Sequence, residues 1–432
     1  VSQGISWKIY FEGSRNMGRR RIYCLNLAIL CLLYISVSLI EKKVSYQGDT
    51  LNKQTLEENR SLFRTPDKNT NDSFCTTWSQ RLLSSGNAEK SKRIVVFEPL
   101  PNAGFANQLR GIVSSLFFAA LTQRAFFINW NRHNQKFSLK TFLLPNCLDW
   151  RIAENSIFEP SMEIDHLTIS GSRKGKGHPR VSSLLQTRDM NKVYSNNILI
   201  ISSNDLFFDN FFHNAHYCWK IREKMHFEHP DEVFAVIFNF LFRPSDELQI
   251  VITKTMKRIE PKIGIQMRLG GSENDKNFHD PASKKMAIRE SNRRSFEKCV
   301  EHILKSNRFR IRAKPSLFVT SDSSDFRDYF SYNRFELISN EGPVEHTSSS
   351  RVSHSGLLKV FADFIVLSKC EFVILSPGTF GLSAALAGRS EIYHVSDNND
   401  GTACKKVVCG HDTRYCSFSW SGRGVVTSRN EH

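Results

Sequence analysis

Long apolar runs are scarce in this chain of 432 residues: one, Ile22 to Ile40, stands alone, and the mean hydropathy is −0.36. A multi-span transporter is thereby excluded. Glycine, at 22 residues, is too sparse for a collagenous chain, and 10 cysteines are too few for a minimal disulfide-stapled one. Acidic residues are outnumbered, 43 against 59 Lys and Arg, giving a formal charge of +16. The basic residues are scattered and no zinc-finger or RNA-platform signature accompanies them, so nucleic acid is not an expected partner. No P-loop consensus and no Rossmann glycine triplet occurs, and neither an ATPase nor a dehydrogenase is supported. What is present is 40% hydrophobic residues with 11% aromatics, enough for a substantial core. The length accommodates two ordinary domains.

As a helix, Ile22 to Ile40 spans about 28 Å, close to the hydrocarbon thickness of a bilayer. A cleaved signal has a shorter apolar stretch, roughly 7 to 15 residues, and no small-x-small site closes this one before Glu41, Lys42 and Lys43. The run is therefore read as a retained anchor. Lys8, Arg15, Arg19, Arg20 and Arg21 precede it, so the positive-inside bias makes residues 1–21 a cytosolic tail, 22–40 a transmembrane signal anchor and the remainder luminal, a type II topology. The chain begins with Val, and Met17 before Gly18-Arg19-Arg20-Arg21 is the expected natural start. Residues 41–90 are polar and without lasting apolar periodicity, the composition of a solvated stem. Both N-x-Ser/Thr triplets, at Asn59 and Asn71, fall there and are expected to be glycosylated.

Beyond the anchor lie Cys75, Cys147, Cys218, Cys299, Cys370, Cys404, Cys409 and Cys416, an even number suited to an oxidising compartment, with the pairing left open. Cys370, between a helical stripe and a strand, also reads as a buried thiol. Cys404, Cys409 and Cys416 with His411 match no usual zinc spacing, and disulfides are the expected use.

From residue 91 strand and helix patterns alternate, predicting an α/β protein with parallel sheets in two parts, 91–250 and 251–432. Ile94–Phe97 and Ala125–Ile128 read as strands around a helix from Ala106 to Gln123, entered through the turn Pro99 to Gly104. Ile198–Ile201 is a further strand, and Val233–Phe242 a helix closed by Pro244.

Three loops of the second part carry chemistry. The strand from Ile263 delivers Arg268 at its C-terminal end, where open parallel sheets bind ligands, just before Gly270 and Gly271. Leu317–Val319 ends in Thr320-Ser321-Asp322-Ser323-Ser324, which places hydroxyls and a carboxylate at a strand tip or, equally, caps the next helix. After Phe372–Leu375, Ser376-Pro377-Gly378-Thr379-Phe380-Gly381 opens a helix, and such a turn offers free backbone N–H groups and a positive dipole end suited to phosphate. With Arg268 it could grip a diphosphate from two sides.

The segment Ala103 to Arg124, with Phe240 to Glu247, Gly264 to Arg268 and Thr379 to Gly381, resembles in this order the fucosyltransferases of the xyloglucan (plant-type alpha-1,2) type. The resemblance spans about Val95 to Leu386. It implies a GT-B-like fold of two Rossmann-like domains behind the anchor and stem, an acceptor side at 91–250 and a GDP-fucose side at 251–432. It further implies a Golgi enzyme transferring L-fucose from GDP-fucose to a glycan hydroxyl, galactose O2, with inversion. No metal or other cofactor is expected, and a homodimer is left open. By similarity Arg268 neutralises the donor diphosphate, Thr379, Phe380 and Gly381 form the nucleotide loop, and Gly104 with Asn107 lines the cleft; Ser321 and Asp322, from their place at a strand tip, are further donor-binding candidates. Ala106 stands where that family has Gly, and Pro377-Gly378 replaces its Trp-Ser.

A base for the acceptor proton must come from the first part, at a strand tip facing the cleft. Asp205 is the candidate, in a segment resembling the family's Asp-Asn-Tyr-Phe with Asp and Asn exchanged; Asp209 and Glu98 are rivals, and a turn-forming Asp205 is the plain alternative. Glu273-Asn-Asp275, the nearest imitation of a metal-binding Asp-x-Asp, reads as a solvated loop. A luminal sulfotransferase and an inactive membrane-anchored glycan-binding protein are the alternative functions; the first should carry a basic residue in the loop Pro101 to Asn107, which has none.

Overall fold

The computed structural model describes residues 68–83, 93–101, 103–131, 137–152, 163–170, 178–260, 262–270, 295–307, 314–330, 334–347, 352–395 and 404–407, all within the unit Thr65–His432. The apolar run Ile22 to Ile40 with its basic flank, Asn59, Glu273, Asp275, Cys409, His411 and Cys416 lie outside them. Among the described residues no helix is long and apolar enough to cross a membrane.

Short continuous apolar segments, bounded by turns, make the strands. In chain order the elements are α1 (Lys68–Leu82), β1 (Ile94–Phe97), α2 (Phe105–Thr122), β2 (Ala125–Ile128), β3 (Leu143–Pro145), β4 (Ile164–Ile169), α3 (His178–Thr187), α4 (Met190–Val193) and β5 (Ile198–Ser203). A 3-10 turn at Phe208–His213 leads to α5 (Cys218–Glu223), α6 (Pro230–Leu241), β6 (Phe242–Pro244), α7 (Asp246–Met256), β7 (Ile263–Met267), α8 (Ser295–Ser306), β8 (Ser316–Ser321) and β9 (Glu336–Ile338). The chain continues through α9 (His354–Ser368), β10 (Phe372–Leu375), α10 (Thr379–Gly388), β11 (Glu391–His394) and β12 (Lys405–Val407).

Two sheets result. The first has 4 strands in the order β2-β1-β5-β4, all parallel. The second has 6 in the order β12-β11-β10-β7-β8-β9, parallel except where β12 joins β11 antiparallel. A small antiparallel pair, β3 with β6, lies apart from both. Parallel sheets in two halves agree with the expectation; the antiparallel edge and the small pair are additions to it. The edge strand is secured by a disulfide from Cys299 of α8 to Cys404, the residue just before β12. Cys370 is a buried thiol whose pKa burial pushes up to about 12.

One expectation is corrected. Residues 41–90 were expected to form a solvated stem, yet 68–82 form α1, with Phe74 and Leu82 buried. Phe74, Trp78 and Leu82 recur every fourth residue and make a stripe one side chain wide, too narrow to stand out in a polar segment. Trp78 stacks on Phe227 at 5.1 Å, Cys75 bridges to Cys147, and the Asn71 amide donates to Asn146 Oδ1 at 3.2 Å.

The halves meet through helices. Phe364 of α9 is ringed by Phe105 of α2 at 5.6 Å, Phe238 of α6 at 5.5 Å and Phe380 of α10 at 5.6 Å. Phe361, one turn earlier, packs on Phe105 at 4.2 Å and stacks on Phe142 at 4.6 Å. Aromatic pairs at these separations add to the area they bury.

Candidate active site

β10, β7 and β8 are adjacent in the second sheet, so Ser376, Arg268 and Asp322, each just beyond a C-terminal end, come together. The Arg268 N–H donates to Ser376 Oγ at 2.7 Å, and that hydroxyl donates to Gln266 Oε1 at 3.1 Å. On the other side the Asp322 carboxylate accepts from Leu269 N at 2.6 Å and from Gly270 N at 3.2 Å. The backbone around Arg268 is thus fixed from both neighbouring strands. Asp322 acts on the site through that backbone, and Ser321 Oγ accepts from Ser323 N at 3.1 Å as part of the same turn.

The guanidinium lies along Gly378: a β-carbon there would stand 3.4 Å from Arg268 Nη1. Gly378 is the N-cap of α10 and supplies no side-chain cap, so the first-turn amides from Thr379 onward are not capped from that position. Gly381 is needed for close packing, since a β-carbon would meet Leu375 Cδ2 at 2.5 Å and Gln266 Cβ at 2.9 Å. Arg268, Thr379, Phe380 and Gly381 are therefore grouped, with Phe380 turned onto Phe364. An arginine beside an uncapped helix N-terminus is an arrangement for a phosphate or diphosphate.

In the first half, α2 is buried along its length except at Asn107 and Arg110, three residues apart and so on one face. Gly104 is its N-cap, and Gln108 closes the preceding loop by accepting from Leu100 N at 3.2 Å and donating to Leu100 O at 2.6 Å. Gly111 lets α2 approach the end of β5, where a β-carbon would meet Ser203 O at 2.1 Å. That approach brings Arg110 Nη2 to 2.7 Å from Asp205 Oδ1. Asp205 Oδ1 also accepts from Leu206 N at 2.9 Å, so the turn-forming reading of this residue holds alongside the ion pair. Burial draws the Arg110 pKa below the usual arginine value despite Asp205 and Asp209. Burial likewise raises that of Asp209, opposed by hydrogen bonding from Asn210. Glu98, beyond β1, is buried and accepts from Asn129 Nδ2 at 3.2 Å.

The sequence reading missed a connection between the halves. Thr347 Oγ accepts from Phe105 N at 2.9 Å, and His346 Nε2 would lie 3.3 Å from a β-carbon at Gly104. No local pattern marks Thr347; the Gly342-Pro343 turn before it was the available signal that the chain bends here. Among the described residues no group of His, Cys, Asp and Glu side chains is placed to hold a metal ion.

The sequence matches no protein-family model and no curated protein. Among solved structures, a mutant of Arabidopsis thaliana FUT1 in complex with GDP is similar, with a TM-score of 0.52 and 14% identity over 78% of this chain and 81% of that one. NodZ, an alpha-1,6-fucosyltransferase from Bradyrhizobium co-crystallised with GDP, gives 0.46 and 14% over 73% and 98%. POFUT1 in complex with GDP-fucose gives 0.39 and 12% over 70% and 97%. The first likeness shows a shared fold, two parallel-sheet halves as in the GT-B-like expectation; the other two, looser, add no argument.

Proposed function

We propose that the chain is a fucosyltransferase that moves L-fucose from GDP-fucose to a hydroxyl of a glycan acceptor with inversion. The observation that carries this reading is Arg268 held along Gly378 at the uncapped start of α10. The resemblance of the motif blocks and the shared fold support it.

In the proposed step the bond from the anomeric carbon to the diphosphate oxygen breaks and its electrons leave with GDP. The acceptor oxygen bonds the opposite face of that carbon and gives up its proton. Arg268 and the first-turn amides of α10 stabilise the charge that grows on the diphosphate, an electrostatic role that needs fixed donors. The hydrogen bonds that Ser376 Oγ and the Asp322 carboxylate accept from the surrounding backbone N–H groups supply that fixity. Asp205 takes the acceptor proton. If fucose departure is far advanced before the proton moves, its share is about 10-fold, below the usual range for general catalysis.

Galactose O2 as the acceptor atom, independence of metal ions and type II placement in the Golgi belong to the same proposal. The Cys75–Cys147 and Cys299–Cys404 disulfides support an oxidising compartment. The test is release of GDP from GDP-fucose with a panel of galactose-ended acceptors. Release with a fucosylated product supports the reading; no release with any acceptor, together with sulfate transfer from a phosphosulfate donor, replaces it with the sulfotransferase.

A further inference from the structure

The start of α2 lacks a cap of its own: Gly104 has no side chain, and the first intrahelical bond runs from Gln108 N to Gly104 O. The free amide at Phe105, buried with its ring, needs a partner. It finds one in the other half, at Thr347 Oγ.

Thr347 is itself held by a short chain of contacts. Two residues before it, the buried Glu345 carboxylate accepts from Ser353 N at 2.7 Å and Ser353 Oγ at 2.9 Å. Ser353 is the N-cap of α9 and accepts from Gly356 N at 3.0 Å. Gly356 leaves room for the carboxylate, since a β-carbon there would stand 2.0 Å from Glu345 Oε2. Upstream, the segment is rooted by Asn340, whose amide donates to Asp363 Oδ1 at 2.8 Å. It turns at Gly342, whose φ of +125° favours glycine. The N-termini of α9 and α2 are therefore joined by three residues, Glu345, His346 and Thr347. The ring of Phe105 rests on Phe361 and Phe364 of the same α9.

We propose that Glu345 to Thr347 is a clasp through which the half bearing Arg268 sets the direction of α2, and that Thr347 is a positioning residue for the acceptor side. The face that α2 leaves open carries Asn107 and Arg110, and Arg110 holds Asp205. A change of pitch at Phe105 is passed along this helix to all three. The kinetic part of the inference rests on the fucosyl-transfer reading; the clasp itself rests on hydrogen bonding alone.

The experiment compares Thr347→Val, which keeps shape and removes the hydroxyl, with Thr347→Ser, which restores it. Amide hydrogen exchange at Phe105, kcat and the GDP-fucose KM are measured on the full chain. Thr347→Val is expected to speed exchange at Phe105 about tenfold, the equivalent of one hydrogen bond, and to lower kcat about tenfold with the donor KM within about twofold. Thr347→Ser is expected to recover both. Unchanged exchange in Thr347→Val overturns the clasp, and faster exchange with unchanged kcat overturns the positioning role. A fall in kcat shared with the donor KM and not recovered by Ser also overturns that role, because it marks general damage. A wild-type protein that releases no GDP from GDP-fucose, while the exchange difference and its recovery by Ser persist, upholds the clasp and removes the fucosyl-transfer reading.

Discussion

At the tip of the second sheet the backbone that carries an arginine is fixed by a hydroxyl and a carboxylate from the neighbouring strands; at the tip of the first, an arginine side chain itself pairs with a carboxylate, with a second one near. Arg268 is held by its own N–H on Ser376, by the neighbouring amides on Asp322, and by the close approach of Gly378. Arg110 and Asp205 are engaged with each other, with Asp209 near enough to act on the arginine. The contrast teaches where binding energy and proton chemistry can lie. At the second sheet, hydrogen bonds to the backbone fix where the arginine stands; at the first, an ion pair between side chains fixes the geometry directly. Under the proposed function the tip of the second sheet takes the charged donor and the tip of the first the sugar acceptor.

The sharpest way to break this comparison is Arg268→Lys. It conserves charge but loses the planar fork, and kcat/KM for GDP-fucose is expected to fall by about 2 to 4 kcal/mol of transition-state stabilisation, roughly 30- to 1000-fold. Steady-state kinetics in EDTA check both this and the expected persistence of wild-type activity; activity lost in EDTA and restored by manganese would overturn the assignment.

Gly381→Ala sets a β-carbon against Leu375 and Gln266, the residues beneath the loop. It is expected to cost about 1 to 3 kcal/mol in denaturant titration and to weaken GDP binding as Arg268 shifts. At the other tip, Asp205→Asn should lower kcat by about tenfold with the GDP-fucose KM unchanged. Unchanged turnover, or a defect confined to GDP-fucose binding, takes the proton-accepting role from Asp205.

The smallest effect sharpens the comparison through pH. Burial raises the Asp209 pKa in the folded protein. Between the unfolded and folded values the native state binds the extra proton, so stability falls as pH rises, and the full penalty is present above the folded value. Asp209→Asn removes it. The melting temperature at pH 7 is expected to rise by about 1 to 2 °C, and the gain should vanish as pH falls below the ordinary carboxylate range.

Much of this architecture is legible in the amino-acid sequence. Ile94–Phe97, Ala125–Ile128 and Phe372–Leu375 are strands at the expected positions, because buried parallel strands are continuous apolar runs between turn residues. Arg268 at a strand end and the Ser376–Gly381 turn were visible for the same reason. The Arg110–Asp205 pair was hidden, since it depends on Gly111 letting a helix touch Ser203 O far along the chain. The Thr347 cap, 242 residues from Phe105 in sequence, was hidden likewise. Periodicity reports which face of an element is covered and is silent on which distant residue covers it.

The strand order of the second sheet also bears on how the chain is made. β7 emerges first and ends between β10 and β8. While β8 and β9 add to one side, the other edge of β7 stays open until roughly a hundred further residues have left the ribosome, about 5 to 20 s at ordinary rates of synthesis. Only later does Cys404 arrive to bond Cys299 and tie down the last strand. For that interval the nascent protein carries an unpaired apolar edge, and a message broken before Phe372 would release chains whose open β7 edges can pair with one another.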